Sequence, residues 1–226
     1  MLVCNMEQSL INAVEQRNVQ RVLRATRQEV NALNVTTALA AAAMNQTNYP
    51  SIVRILLNKG ANVNKRGMLG LTPLIWACDF GNYKIAKALI EHGANLELRD
   101  YLGQTALHAA VRRNRLNIVK LLLDHGANMT AKSNDGQTPL VMAARRPERS
   151  EVLHELLKRG AGLNANSVNR IIGFIGKNPS GPNAAYYKQL KINLSRLHSK
   201  IGHREITGTF PRVSSSARTA ARQLSA

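Results

Sequence analysis

The sequence predicts an all-α solenoid of short helix–turn–helix units, each stacked on the next. Three observations predict it. The phrase opened by Thr72 returns at Thr105 and Thr138, each 33 residues after the last. A Gly-Ala pair closes successive copies at 60–61, 93–94, 126–127 and 160–161, at intervals of 33, 33 and 34. Between opening and closing, apolar residues recur at helical spacing in two short runs. Helices this short cannot bury both faces alone, so neighbouring units have to complete the core.

The copy at 100–132 shows the logic of the unit most clearly. Asp100-Tyr101-Leu102-Gly103 has turn chemistry, with Gly103 free to take a positive φ. Thr105 is placed to cap a helix N-terminus. Leu107, Ala110 and Val111 then form the apolar stripe of a short first helix, and the polar run 114–117 marks the turn. Ile118, Leu121 and Leu122 repeat at i, i+3 and i+4 as the buried face of a second helix. Gly126 ends that helix where a left-handed residue is wanted. With their period of 33, Thr72-Pro73-Leu74, Thr105-Ala106-Leu107-His108 and Thr138-Pro139-Leu140 resemble the openings of the ankyrin repeat. The resemblance implies helical pairs joined by β-turn or hairpin loops, a binding architecture with no chemistry of its own, and a structural histidine at His108.

In chain order, residues 5–33 read as a capping helical pair, with stripes Leu10, Ala13, Val14 and Val19, Val22, Leu23 about a turn at Arg17-Asn18. A mitochondrial presequence is the alternative for this basic start, and Glu7, Glu15 and Glu29 argue against it. Repeat 1 (34–66) is degenerate: Thr37-Ala38-Leu39-Ala40 lacks the proline and the histidine, and 45–50 is two residues longer than its counterparts. Repeat 2 (67–99) begins with Gly67 in place of Asp, which puts the hydrogen bonding of that turn in question, and has Ile75 and Trp76 after its Thr-Pro-Leu. Repeat 3 is 100–132; repeat 4 (133–166) has Val141 in place of His and gains Pro147 in its inter-helix turn. Beyond it, Val168, Ile171, Ile172 and Ile175, then Tyr187, Leu190, Leu194, Leu197 and Ile201, predict two further helices over 167–201 that cap the C-terminal end. The basic outer face of the second helix also suits an acidic membrane or a calmodulin-like partner. The segment 202–226, rich in Ser, Thr, Ala and Arg, is expected to be a basic disordered tail.

Totals narrow the function classes. Aromatic residues make up 4% of the chain, which suits cores of Ala and Leu between closely packed helices. Cys4 and Cys78 lie far apart and suggest no disulfide framework, so a reducing compartment, the cytoplasm or also the nucleus, is expected. There is no apolar run of membrane-spanning length and no signal-peptide pattern. No Ser–His–Asp constellation, phosphate-cradling glycine loop or Cys-x-x-Cys pair is present, so neither catalysis nor a cofactor or metal is expected. His92 and His125 fall at equivalent points of adjacent repeats, too far apart to share a zinc ion, and read as edge histidines. The net charge is +18, of which residues 165–226 carry 10 − 1 = +9, so acidic partners are expected.

The resemblance also implies which positions carry specificity, since tips and first helices line one concave surface in such stacks. The tips here are Met68-Leu69, Tyr101-Leu102 and Asn134-Asp135; the helix positions are Asp79-Phe80, Arg112-Arg113 and Arg145-Arg146. The apolar tips either pack on one another along the rim or anchor a partner. Arg112, Arg113 and Arg115 with Arg145, Arg146 and Arg149 read as a solvated charged face or as a basic field for an acidic protein segment. The predicted function is therefore a monomeric protein-binding adaptor or regulator. The second reading is a nucleic-acid or anionic-lipid binder acting through 167–226. A ubiquitin-ligase substrate receptor would need a recruiting box after the repeats, and none is recognisable in 165–226.

Overall fold

The computed structural model describes residues 50–160 without a break, together with 10, 12–16, 18–25, 35–44, 171–173, 185 and 188–193. The chain divides into two compact units, residues 1–128 with 133–135, and residues 129–132 with 136–226. The first holds helices α1 (Val19–Arg24), α2 (Val35–Met44), α3 (Pro50–Asn58), α4 (Pro73–Phe80), α5 (Tyr83–Glu91), α6 (Ala106–Arg112) and α7 (Leu116–Asp124). The second holds α8 (Pro139–Ala144) and α9 (Ser150–Lys158). Among the described residues there is no strand.

In the first unit, the first helices α2, α4 and α6 pack successively side by side, and so do the second helices α3, α5 and α7, with α1 against α3. Small side chains make the inner layer possible: Ala42, Ala43, Ala77, Ala106, Ala109 and Ala110 are all buried, so backbones approach closely. Between the layers lie the larger anchors Leu39, Ile52, Leu56, Leu74, Ile85, Leu89, Leu107, Ile118 and Leu122, all fully buried. Burying each such side chain contributes roughly 1.5–3 kcal/mol before chain entropy is counted. The second unit repeats the design, with Leu140, Ala143, Val152 and Leu156 buried where α8 meets α9.

The Thr openings cap their helices as the sequence predicts. The Thr72 hydroxyl accepts from Ile75 N at 3.2 Å and that of Thr138 from Val141 N at 3.4 Å. At Thr105 the buried His108 returns the contact, its Nδ1 accepting from Thr105 N at 3.2 Å and lying 2.9 Å from Oγ1. Because the backbone N–H can only donate, Nδ1 is the unprotonated ring nitrogen. Gly126 closes α7 at φ 83°, with Gly126 N donating to Leu123 O and Ala127 N to Leu122 O. The edge histidines cap their own helices: Nδ1 lies 2.8 Å from Ala88 O in His92 and 2.8 Å from Leu121 O in His125. His92 Nε2 also reaches Asn58 Oδ1 at 3.3 Å, joining the ends of α3 and α5.

Two expectations need correction. Leu23 is exposed, because only Val22 and Ala25 of that stretch turn inward. Asn117 is not in the turn of repeat 3 but in the first turn of α7, since Asn114, at φ 56°, already reverses the chain. Pro147 lies in the inter-helix turn of repeat 4 as expected, opening a 3₁₀ turn (Pro147–Arg149) before α9 starts at Ser150. Of the predicted C-terminal cap, Ile171 and Leu190 are buried. Val168, Ile175, Tyr187, Leu194, Leu197, Ile201 and the tail 202–226 lie outside the described residues.

Candidate functional site

Two neighbouring loop tips are built by different means. In repeat 3 the Asp100 carboxylate accepts from Leu102 N at 2.9 Å and Gln104 N at 2.8 Å, while Gly103 N donates to Asp100 O at 2.9 Å. The carboxylate satisfies the amides inside the turn, and Tyr101 and Leu102 are left pointing outward. Gly67 offers no carboxylate at the matching point of repeat 2. That loop is closed through the main chain instead, Gly67 N donating to Leu71 O at 2.9 Å and Gly70 N to Gly67 O at 3.2 Å. The result is a 3₁₀ turn (Met68–Gly70) that forces Leu69 to φ 59°, ψ 18°. A leucine in the left-handed region is strained. The Met68 side chain lies outside the described residues.

The tips are tied to one another. Tyr101 N donates to Leu69 O at 2.9 Å, and Asn134 N donates to Leu102 O at 2.9 Å. The Asn134 amide adds a bond to Tyr101 O at 2.9 Å. Ser133 Oγ bonds the Asp135 carboxylate, so Asn134 and Asp135 continue the row as polar residues. Leu69, Tyr101 and Leu102 are 57%, 58% and 38% exposed, among the most exposed large hydrophobic side chains of the described residues.

On α4, Trp76, Asp79 and Phe80 stand at i, i+3 and i+4 and are all half-buried, forming one face. The Trp76 and Phe80 rings lie 5.7 Å apart, tilted by 31°. Asp79 receives both arginines of the next first helix. Arg112 donates through one terminal nitrogen to Oδ1 at 2.7 Å; Arg113 donates from Nε to Oδ1 at 2.9 Å and from a terminal nitrogen to Oδ2 at 2.8 Å. These hydrogen bonds and the Asp79 charge raise the Arg113 pKa above the ordinary guanidinium value. Arg115 reaches back to Phe80 O at 3.5 Å, toward the carbonyl end of α4. Beneath this face Cys78 is completely buried, and burial, with the Asp79 charge second, pushes its thiol pKa far up.

The structure thus brings Asp79, Arg112 and Arg113 into contact, and separately ties Leu69 to Tyr101 and Leu102 to Asn134. In the second unit Arg145 and Arg146 are exposed; Arg145 donates to Gln137 Oε1 at 2.9 Å, and Arg146 lies 3.8 Å from Glu148. Arg149 turns back to Met142 O at 3.0 Å. Reading residues by repeat position passed over Trp76, which its spacing of three and four from Asp79 and Phe80 could have found. It also treated Asp79 as one more exposed position, although a carboxylate 33 and 34 residues before two arginines is their natural counter-ion. The arrangement offers guanidinium N–H groups for an anion and exposed apolar groups beside main-chain turns, which suits holding a segment of another protein. No helix among the described residues is long and apolar enough to cross a membrane.

A family model described as ankyrin repeats (3 copies) matches residues 10–100 and 96–167, more than half of the chain. No curated protein gives a significant match.

Proposed function

Because this chain belongs to the ankyrin-repeat family, we propose that it is an adaptor or regulator whose inner face holds an acidic segment of a partner protein. Ankyrin repeats are protein–protein interaction modules, so the open matter is the ligand. The observation that carries the proposal is the row of exposed Leu69, Tyr101 and Leu102 on two hydrogen-bonded tips. Apolar groups there have no part in the core, and one of them is kept on strained backbone. By analogy with ankyrin stacks, where tips and first helices share one surface, the proposal includes Met68, Asp79, Phe80, Arg112 and Arg113 of the first unit, and takes Arg145 and Arg146 of the second unit as further candidates. The arginines supply the charge preference, since a guanidinium fork holds a carboxylate through two bonds.

Selection from a peptide library, followed by affinity measurement, tests this. Acidic peptides with interspersed apolar residues should be enriched. Tyr101→Ala should weaken them with little change in salt dependence. Arg145→Glu should weaken them while lowering the salt dependence. Selection of basic or uncharged peptides, or indifference to both changes, would exclude the proposal. A second reading, nucleic-acid or anionic-lipid binding through 167–226, rests on the ten basic against one acidic residue in 165–226. It gains if deleting 167–226 abolishes binding to DNA, RNA or anionic vesicles while peptide binding is untouched.

A further inference from the structure

Arg112 and Arg113 look interchangeable in sequence, yet they hold Asp79 in different ways. Arg113 makes two parallel bonds, one to each carboxylate oxygen, and alone satisfies both. Arg112 adds a single bond to Oδ1, an oxygen Arg113 already occupies. Among the described residues Arg112 Nε is buried without a hydrogen-bond partner. A buried, unsatisfied donor is costly, so Arg112 gives up the solvation of one N–H to stay on Asp79. Two guanidiniums on one carboxylate also repel each other. Turning Arg112 outward would relieve both costs while Asp79, only 12% exposed, keeps its bidentate partner.

On the reading that this face holds an acidic segment, we infer that the two arginines divide the work. Arg113 is a clamp that keeps Asp79 neutralised. Arg112 is the reader, exchanging its single bond to Asp79 for a carboxylate of the ligand. Asp79 is then an internal competitor that sets how strongly anionic a ligand must be to draw Arg112 away. The consequence is indirect and specific. Removing Arg113 should weaken binding without any lost ligand contact, because Asp79 then depends on Arg112 and holds it back.

A double-mutant cycle separates this from direct contact. The probe is a fluorescein-labelled repeating Leu-Glu-Glu peptide, followed by anisotropy, with circular dichroism melts to establish that each variant is folded. Asp79→Asn, which keeps the shape but loses the charge, should bind roughly tenfold tighter than the unmodified protein. Arg112→Gln should lose binding, and Arg113→Gln should weaken it roughly tenfold. In the Asp79→Asn background, Arg113→Gln should have no further effect. An equal loss from Arg113→Gln in both backgrounds would make Arg113 a direct contact and overturn the clamp. So would Asp79→Asn binding no tighter. If neither the unmodified protein nor Asp79→Asn binds the peptide, the acidic-segment reading itself fails and the inference goes with it. The unmodified protein gives a check that needs no variant. On adding peptide, the Nε–H resonance of Arg112 should shift while that of Arg113 stays in place; the reverse pattern refutes the assignment.

Discussion

Leu69 displays an exposed side chain from a left-handed backbone, an arrangement that stability alone disfavours. Leu69→Gly would relieve the strain, partly offset by the greater freedom glycine gives the unfolded chain. The expected result is a protein more stable by about 0.5 kcal/mol in chemical denaturation that nonetheless binds its partner less well. Unchanged binding would show that this side chain has no part in recognition. Cys78 makes the opposite case, a residue whose chemistry is suppressed by its surroundings. Its thiol should resist iodoacetamide in the folded protein and react once urea opens the core, which peptide mapping at Cys78 can follow. The folded pKa is raised, so the stabilisation is complete below the ordinary thiol value of 9.0 and declines as pH rises above it. The loss of stability between about pH 8 and about pH 10 should accordingly be smaller in Cys78→Ala.

At the scale of elements, two glycines separate dihedral strain from steric conflict. A Cβ at Gly126, φ 83°, would meet nothing within 4 Å, so Gly126→Ala carries only the left-handed penalty, about 1–2 kcal/mol. A Cβ at Gly103, φ 72°, would lie 2.8 Å from Asn134 N, main-chain atoms that cannot step aside. Gly103→Ala should therefore lower the melting temperature further than Gly126→Ala, and it alone should impair ligand binding by disturbing the tips. Equal melting temperatures would show that the close approach to Asn134 is unimportant. These helix ends were legible in the sequence because threonine caps and glycine closures act within a few residues of themselves. Leu23 was not, since the inward side of a short terminal helix depends on what it packs against. Repeat spacing gave Asp79 and the Arg112-Arg113 pair matching positions in successive repeats without pairing them. It could not reveal that one arginine takes both carboxylate oxygens while the other sacrifices an N–H, because that depends on rotamers.

For the whole molecule, charge and core are distributed differently along the chain. Residues 165–226 carry half of the net charge, yet Ile171 and Leu190 within them are buried. Truncation after Asn166 should therefore lower the solubility and melting temperature of the protein, whereas truncation after Ile201 should leave both unchanged. Identical behaviour of the two proteins would show that the segment contributes charge alone. The tip row described above has one more implication. Tyr101 N to Leu69 O and Asn134 N to Leu102 O are joined through main-chain atoms, which every residue except proline can supply. Side chains at 69, 101 and 102 are thus relieved of any duty in holding the row together. If the tips are where the partner binds, as proposed, mutation is free to rewrite which partner is recognised, one tip at a time, without the fold having to be solved again.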